Sequence, residues 1–341
     1  MHDALSEILA CPVCFGSAHD ADPSGWTCRS CGTRFPEGEV PVYIPEPGQA
    51  LWALKEQEYR KALNAYYRGR LQAGDGWWLD RNEYRTLLRR HDSETYFEPL
   101  FEVIRENYCS PVVLDAGGGE GWFTNRCERE IPGHRGLLLD LSDAIVRHGK
   151  VRNGIRSEVA CASLLRLPIQ SGEVDVIVAI EVLEHILNPG LFFRECFRVL
   201  KTGGRLLLTT PNPLSPALWY EMGGIRGLLR MLSPGAFSPL RDRYADAGAE
   251  DPYRPHMDDS FSNFLNPRQI GTLADEAGFR SVTLHSSGAG FAPMIYYWAE
   301  RLHLPMTLFR PLSRLFSSAD EKILFRGILN RGKVQRVICL K

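Results

Sequence analysis

VVLDAGGGEG, Val112 to Gly121, joins a short apolar run to a cluster of glycines. The run Val112 to Leu114 ends on Asp115, glycines follow at 117, 118, 119 and 121, and a helix-compatible segment begins at Trp122. The pattern reads as buried strand, tight turn and helix start, the place where an open parallel sheet binds its ligand. Glycine suits such a turn because it lets backbone N–H groups approach a ligand closely and tolerates positive φ.

Spacing separates two cofactor classes. The dinucleotide fingerprint G-x-G-x-x-G needs a third glycine at 122, where this chain has Trp122. Here the glycines alternate at 117, 119 and 121 behind an acid at 115. That D-x-G-x-G-x-G run resembles motif I of class I S-adenosylmethionine (SAM) methyltransferases. The resemblance implies a Rossmann-like α/β sheet and a cofactor held at Asp115, Gly117, Gly119 and Gly121.

The following sequence extends the likeness. Phe123, Cys127 and Ile131 recur every four residues on one helix face. Leu137 to Leu139 is the next buried strand and ends on Asp140, 25 residues after Asp115. An acid at that tip can accept both ribose hydroxyls of an adenosine; Leu141 follows it, and Ser142 is a candidate N-cap. A third strand lies near Val159 to Cys161. Many family members then place an Asp four residues before a Leu-Pro, where it accepts the adenine amino group. In this chain the position is Ser163, whose hydroxyl accepts more weakly than a carboxylate.

Val174 to Ile180 suits a central strand buried on both faces. It runs into Glu181-Val-Leu-Glu184-His185, with Asn188-Pro189 as a helix cap and first turn. Glu181 belongs to the expected cofactor set. His185 is a candidate general base. Alternatively Glu181, Glu184 and His185 share a divalent ion, as the resemblance to ubiquinone-biosynthesis O-methyltransferases and small-RNA 2′-O-methyltransferases implies, or His185 caps local backbone. Phe192 to Leu200 reads as an amphipathic helix closed by Lys201-Thr-Gly-Gly204, and Arg205 to Thr210 as the fifth strand. The run from Glu181 to Pro213 resembles the motif IV to VI block of the same family. Val282 to His285 and Val334 to Leu340 are expected as an antiparallel final pair. His256, in RPHMDDSF, is a second base or metal-ligand candidate, or else a surface histidine.

Cys11-Pro-Val-Cys14 and Cys28-Arg-Ser-Cys31 are two C-x-x-C knuckles thirteen residues apart. Together they can complete a closed four-thiolate shell on zinc, which holds a fold together but has no open position for chemistry. So short a unit has little core of its own, and the metal would supply much of its folding energy. Its flanks, LACPVC and WTCRSCGTRFPEGEVPVYIPEP, resemble the small zinc-ribbon activator subunits of tRNA, rRNA and protein methyltransferases. The expected division is therefore a zinc ribbon over 1–46, a linker with N-terminal helices over 47–110, and a methyltransferase domain over 111–341 with lid or insertion segments at 214–260 and 291–329. Leu51 to Leu71 and Tyr96 to Tyr108 have helical spacing. Tyr66, Tyr67, Trp77 and Trp78 either line a substrate cleft or pack helices on the core.

The 341 residues carry a formal net charge of −1, which gives no global sign of a polyanionic partner. No apolar run reaches the roughly 18 to 20 residues of a membrane span. The N-terminus has no basic n-region, and nine cysteines without an export signal point to a reducing cytoplasm. Residues 301 to 341 hold nine Lys or Arg against two acids, a composition open to a homodimer face, an anionic substrate contact, a peripheral membrane-surface element or solvated core helices. The functional expectation is methyl transfer to an oxygen of a small molecule, sugar or lipid-linked glycan in specialised or envelope metabolism. The alternative is an rRNA or tRNA methyltransferase whose ribbon binds RNA, and a third reading is a non-enzymatic scaffold that has lost SAM.

Overall fold

A computed structural model describes residues 7–17, 19–22, 25–72, 97–186, 188–215, 264–287 and 334–341. Near the N-terminus, β1 (His19–Asp22), β2 (Gly25–Cys28) and β3 (Arg34–Pro36) form a small antiparallel sheet in that order. The stacked rings of Trp26 and Phe35, 3.7 Å apart, brace β2 against β3. Then come α1 (Leu51–Gln72) and α2 (Glu98–Asn107).

The larger sheet is built from β4 (Val112–Ala116), β5 (Arg135–Asp140), β6 (Glu158–Cys161), β7 (Val174–Ile180), β8 (Leu200–Pro211), β9 (Ser281–Ser287) and β10 (Val334–Leu340). Its order is β6-β5-β4-β7-β8-β10-β9. The first five pair in parallel, and β10 runs antiparallel to both β8 and β9, so the sheet is mixed. From β4 the chain builds outward through β5 and β6, then returns to lay β7 on the other side of β4. That reversal opens a crevice at the carboxyl ends of the strands, where doubly wound sheets take their ligands.

Helices α3 (Trp122–Glu130), α4 (Asp143–Asn153), α5 (Pro189–Val199) and α6 (Pro267–Ala277) complete the described elements. β4 is buried along its whole length, as the apolar run Val112 to Leu114 suggests, and the burial includes Asp115. On one face of the sheet Leu100, Phe101 and Ile104 of α2 meet Phe123 and Cys127 of α3, with Phe101 and Phe123 stacked at 4.2 Å. On the other, Phe192, Phe193 and Cys196 of α5 pack with Ile270 and Ala274 of α6.

Both expected caps form, Ser142 accepting from Ile145 N–H and Asn188 from Leu191 N–H, and Asn266 shares a reciprocal capping box with Gln269. One boundary differs from expectation. Lys201 to Gly204 lies inside β8 and does not close α5, which ends at Val199. The reason is tertiary: Gly203 and Gly204 exchange backbone hydrogen bonds with Lys341, 3.0 Å each, so pairing captures a stretch whose glycines suggest a helix stop.

The N-terminal segment is stitched to the sheet. Tyr43 N–H donates to the Cys161 carbonyl and Cys161 N–H to the Pro41 carbonyl, both at 2.8 Å, so residues 41–43 extend the sheet beyond β6. Val40, Val42 and Ile44 enter a common apolar cluster with Leu138, Ile145 and Val159. Among the described residues no helix is long and apolar enough to cross a membrane.

Candidate cofactor crevice and four-cysteine centre

At the end of β4, Asp115 is buried and receives both the backbone N–H of Thr124, at 3.1 Å, and its hydroxyl, at 2.7 Å. The carboxylate thus secures the first turn of α3, whose N-cap Gly121 has no side chain to do so. Burial pushes the Asp115 carboxyl up to about 6, with the Thr124 bonds offsetting part of the effect. Gly119 has φ 52° and nothing within 4 Å of where a Cβ would stand, leaving its outer side open to a ligand. Gly121 is fixed for the opposite reason: at φ 73°, an added Cβ would lie 2.2 Å from Ile155 Cδ1. Gly117 N–H donates to the Leu139 carbonyl at 2.7 Å and ties the loop to β5.

Asp140, at the tip of β5, accepts Gly119 N–H at 3.1 Å and Ser142 N–H at 2.9 Å. Desolvation holds its carboxyl above the usual range, against the pull of those N–H groups and of Leu141 N–H. The sequence-expected pair, glycine loop and strand-tip acid, therefore meets directly. Leu141 contributes its carbonyl to the Cys161 thiol, at 3.2 Å.

After β6, Ser163 is buried and accepts Leu165 N–H at 3.1 Å. Glu56 of α1 was not singled out by sequence, yet it is buried, and burial raises its carboxyl to about 7. The helix carrying it is firmly held. Gln57 Nε2 donates to the Ile44 and Pro45 carbonyls at 3.1 and 2.9 Å, Arg60 pairs with Asp143 at 2.9 Å, and the Ser142 hydroxyl donates to Asn64 at 2.7 Å. Asp143 stays below the usual carboxylate range because the Arg60 and Asn64 bonds outweigh its burial.

Farther along α1, Tyr66 and Tyr67 meet edge to face at 5.3 Å, and Tyr67 packs on the cluster around Leu138. Burial raises the Tyr67 and Tyr59 hydroxyls, Tyr59 to about 12, and the charge of Asp140 adds to both. Tyr67 thus packs on the core. Trp77, Trp78 and His256 lie outside the described residues.

At the end of β7, Glu181 takes a left-handed backbone, φ 54°, and its N–H donates to Thr209. A non-glycine residue there is strained, a common feature of functional turns. Glu184 is buried in the short helical turn Leu183–His185 and accepts the Thr210 hydroxyl at 3.1 Å. Burial, and then the charge of Glu181, raise its carboxyl well above the ordinary value. His185 is about half exposed, with Nε2 3.9 Å from Glu184 Oε1. Glu181, Glu184 and His185 do not converge as a metal cage. Among the described residues the one set of three or more His, Cys, Asp or Glu with ligand atoms all within 4.8 Å of one another is Cys11, Cys14, Cys28 and Cys31.

That set has the form of a closed shell. Four sulfurs about 2.3 Å from one tetrahedral zinc would stand about 3.8 Å apart. Cys11 and Cys31 are 3.8 Å apart and Cys14 and Cys28 3.6 Å, with no disulfide among them. The knuckles repeat one another: Phe15 N–H bonds the Cys11 carbonyl as Gly32 N–H bonds that of Cys28, and Cys11 N–H bonds Gly16 as Cys28 N–H bonds Thr33. The left-handed position of the second knuckle is Gly32, φ 70°; in the first it is Phe15, φ 59°, not the adjacent Gly16.

Comparison with known proteins supplies the context. Residues 114–208 match the family described as Methyltransferase domain. A relative in Mycobacterium tuberculosis, named a probable S-adenosylmethionine-dependent methyltransferase, is 36% identical over 140 residues, covering 40% of this chain and 46% of its own. A ubiquinone biosynthesis O-methyltransferase of Pseudomonas paraeruginosa is 23% identical over 198 residues, covering 55% and 76%. The solved structure of a SAM-dependent methyltransferase from Thermotoga maritima, described as a possible histamine N-methyltransferase, superposes with a TM-score of 0.46 at 13% identity, covering 84% of this chain and 99% of that one. The chain spans about half the length of the first curated relatives it matches.

Proposed function

We propose that the chain is a SAM-dependent methyltransferase acting on an acceptor oxygen, with its cofactor in the crevice beside Gly117 to Gly121. The observation that carries this is the direct bond between Gly119 N–H and the Asp140 carboxylate, within the segment that matches a methyltransferase domain. The residues suit the cofactor chemically. Asp140 presents a carboxylate for ribose hydroxyls, and the open side of Gly119 admits the backbone of a ligand. When bound, SAM supplies an electrophilic methyl on a sulfonium.

The protein's own contribution is position. Glu181 and the turn carrying Glu184 and His185 face the end of β7 beside the crevice and would orient the acceptor. Thr210 fixes Glu184, and half-exposed His185 can take a proton from an acceptor that arrives protonated. We assign the four cysteines a structural zinc and divide the chain as ribbon, connecting helices and methyltransferase domain. The thiols, all nine unpaired, suit a reducing cytoplasm.

For the acceptor we favour a small molecule, sugar or lipid-linked glycan, in keeping with the O-methyltransferase among the relatives. The RNA alternative draws no support from the relatives' names, and the ribbon's tail is already engaged with β6. Radiolabelled methyl transfer from SAM into fractionated small-molecule and lipid extracts tests the proposal. Label entering RNA alone would transfer it to the alternative, and no label in any fraction from a chain that does not bind SAM would leave the scaffold.

A further inference from the structure

The carboxylate of Asp140 is held by two backbone amides, one on each oxygen: Ser142 N–H reaches Oδ1 at 2.9 Å and Gly119 N–H reaches Oδ2 at 3.1 Å. An ionised carboxylate offers about four acceptor sites, so these two bonds leave capacity for hydroxyl donors. The direction of the remaining lone pairs is set by the two amides. One belongs to the glycine loop, the other to the turn that opens α4.

That turn is in its own right held from outside the sheet, by Asn64 of α1. Asn64 Oδ1 accepts the Ser142 hydroxyl at 2.7 Å and Ala144 N–H at 3.2 Å, while Asn64 Nδ2 donates to Asp143 Oδ1. Asn64, Ser142 and Asp143 are all buried, and only one orientation of the amide satisfies all three bonds. Asp143 carries the connection onward. Its Oδ1 also takes Arg60 Nε at 2.9 Å, and its Oδ2 takes the backbone N–H of Glu39 at 3.3 Å. Glu39 lies in the N-terminal segment that Tyr43 joins to β6, and its carboxylate bridges Arg68 of α1 and Arg147 of α4. Those outer ion pairs are largely exposed and add little, so the buried amide of Asn64 is the link that decides. A continuous run of hydrogen bonds thus leads from Glu39 through Asp143, Asn64 and Ser142 to Asp140.

We infer that Asn64 is a positioning residue for the cofactor crevice: it fixes the turn that aims the Asp140 carboxylate, and makes the grip on a ribose depend on the seating of α1 and of the segment around Glu39. This deepens the proposed function, by naming what controls its ribose end, and rests on it. The coupling is reciprocal, so a ligand held by Asp140 steadies Glu39 as Glu39 steadies the ligand.

The test is calorimetric titration of the full chain with S-adenosyl-homocysteine and with its 2′-deoxyribosyl analogue. The wild-type protein is expected to prefer the ribosyl ligand by about tenfold or more, and Asn64→Ala to shrink that preference to about threefold or less, because the Asp140 carboxylate is no longer aimed. A folded Asn64→Ala variant that weakens both ligands equally overturns the inference and makes Asn64 a packing residue. Wild-type protein that binds both alike overturns it without any variant. A second measurement, on the unaltered chain, does not depend on the variant folding: S-adenosyl-homocysteine should slow amide exchange at Glu39 by at least about threefold and leave Gly203, at the other end of β8 from the crevice, unchanged. No slowing at Glu39, or equal slowing at both, overturns the coupling. If wild-type protein binds neither ligand, the SAM proposal itself fails, an outcome distinct from the others.

Discussion

The guanidinium of Arg198 lies 4.1 Å from the centroid of the Phe15 ring, joining the first cysteine knuckle to α5. Arg198 is itself fixed, by Glu195 at 2.8 and 2.9 Å and by the Leu167 and Ile169 carbonyls. This explains why a phenylalanine occupies a left-handed position that its sister knuckle gives to glycine: the ring contact offsets the backbone cost. Phe15→Ala keeps the unfavourable φ and loses the ring, whereas Phe15→Gly loses the ring but relieves about 1 kcal/mol of strain. The expected order of thermal stability is wild type, then Phe15→Gly, then Phe15→Ala. Alanine unfolding at or above the glycine variant would contradict it.

Burial raises Asp115 to about 6, so the folded chain binds this proton more tightly than the unfolded chain does. The sign follows from that. Its contribution is fully present below the unfolded value near 4 and is lost as pH rises through about 6, an effect on the order of 3 kcal/mol. Asp115→Asn keeps an acceptor for Thr124 and removes the titration. Urea unfolding between pH 4 and 7 should then show a pH slope smaller by up to one proton than that of wild type. An unchanged slope would mean that Asp115 stays ionised throughout.

Much of this architecture was legible because it rests on local chemistry. β4 and β7 are mostly apolar runs, each broken by one aspartate, that suit buried strands, and Ser142 and Asn188 cap the helices their positions suggest. The glycine loop and Asp140 were each expected at the cofactor; that Gly119 N–H bonds the Asp140 carboxylate directly was not. Orientation was not legible: nothing in the sequence shows that Asp115 turns inward to Thr124 while Asp140 stays at the crevice. Glu56 was hidden for another reason. The buried face of α1 carries Glu56, Gln57 and Asn64 beside Ala53, so apolar periodicity does not mark these polar positions. Asp143, which holds this face through Arg60 and Asn64, lies far along the chain.

The four-thiolate centre should hold one zinc per chain. Chelation, or Cys28→Ser at the buried ligand position, should release it and lower the unfolding temperature. Because residues 41–43 are bonded to β6, the amide of Cys161 should lose its exchange protection in the same step. Full protection of Cys161 in zinc-free protein would show that the sheet extension stands without the metal.

His185→Ala should lower turnover while SAM affinity stays near that of wild type, since in the proposed function the half-exposed ring serves the acceptor and not the cofactor. An equal loss of SAM affinity would instead make His185 architectural.

The central claim is that the crevice beside Gly119 and Asp140 binds an adenosyl sulfonium. Calorimetry of the purified chain with SAM, alongside Asp140→Ala, tests it most directly: wild type should bind one equivalent, and the variant should bind at least about tenfold more weakly as the ribose loses its acceptor. A chain that ignores SAM and binds a nicotinamide or flavin nucleotide in its place would contradict it.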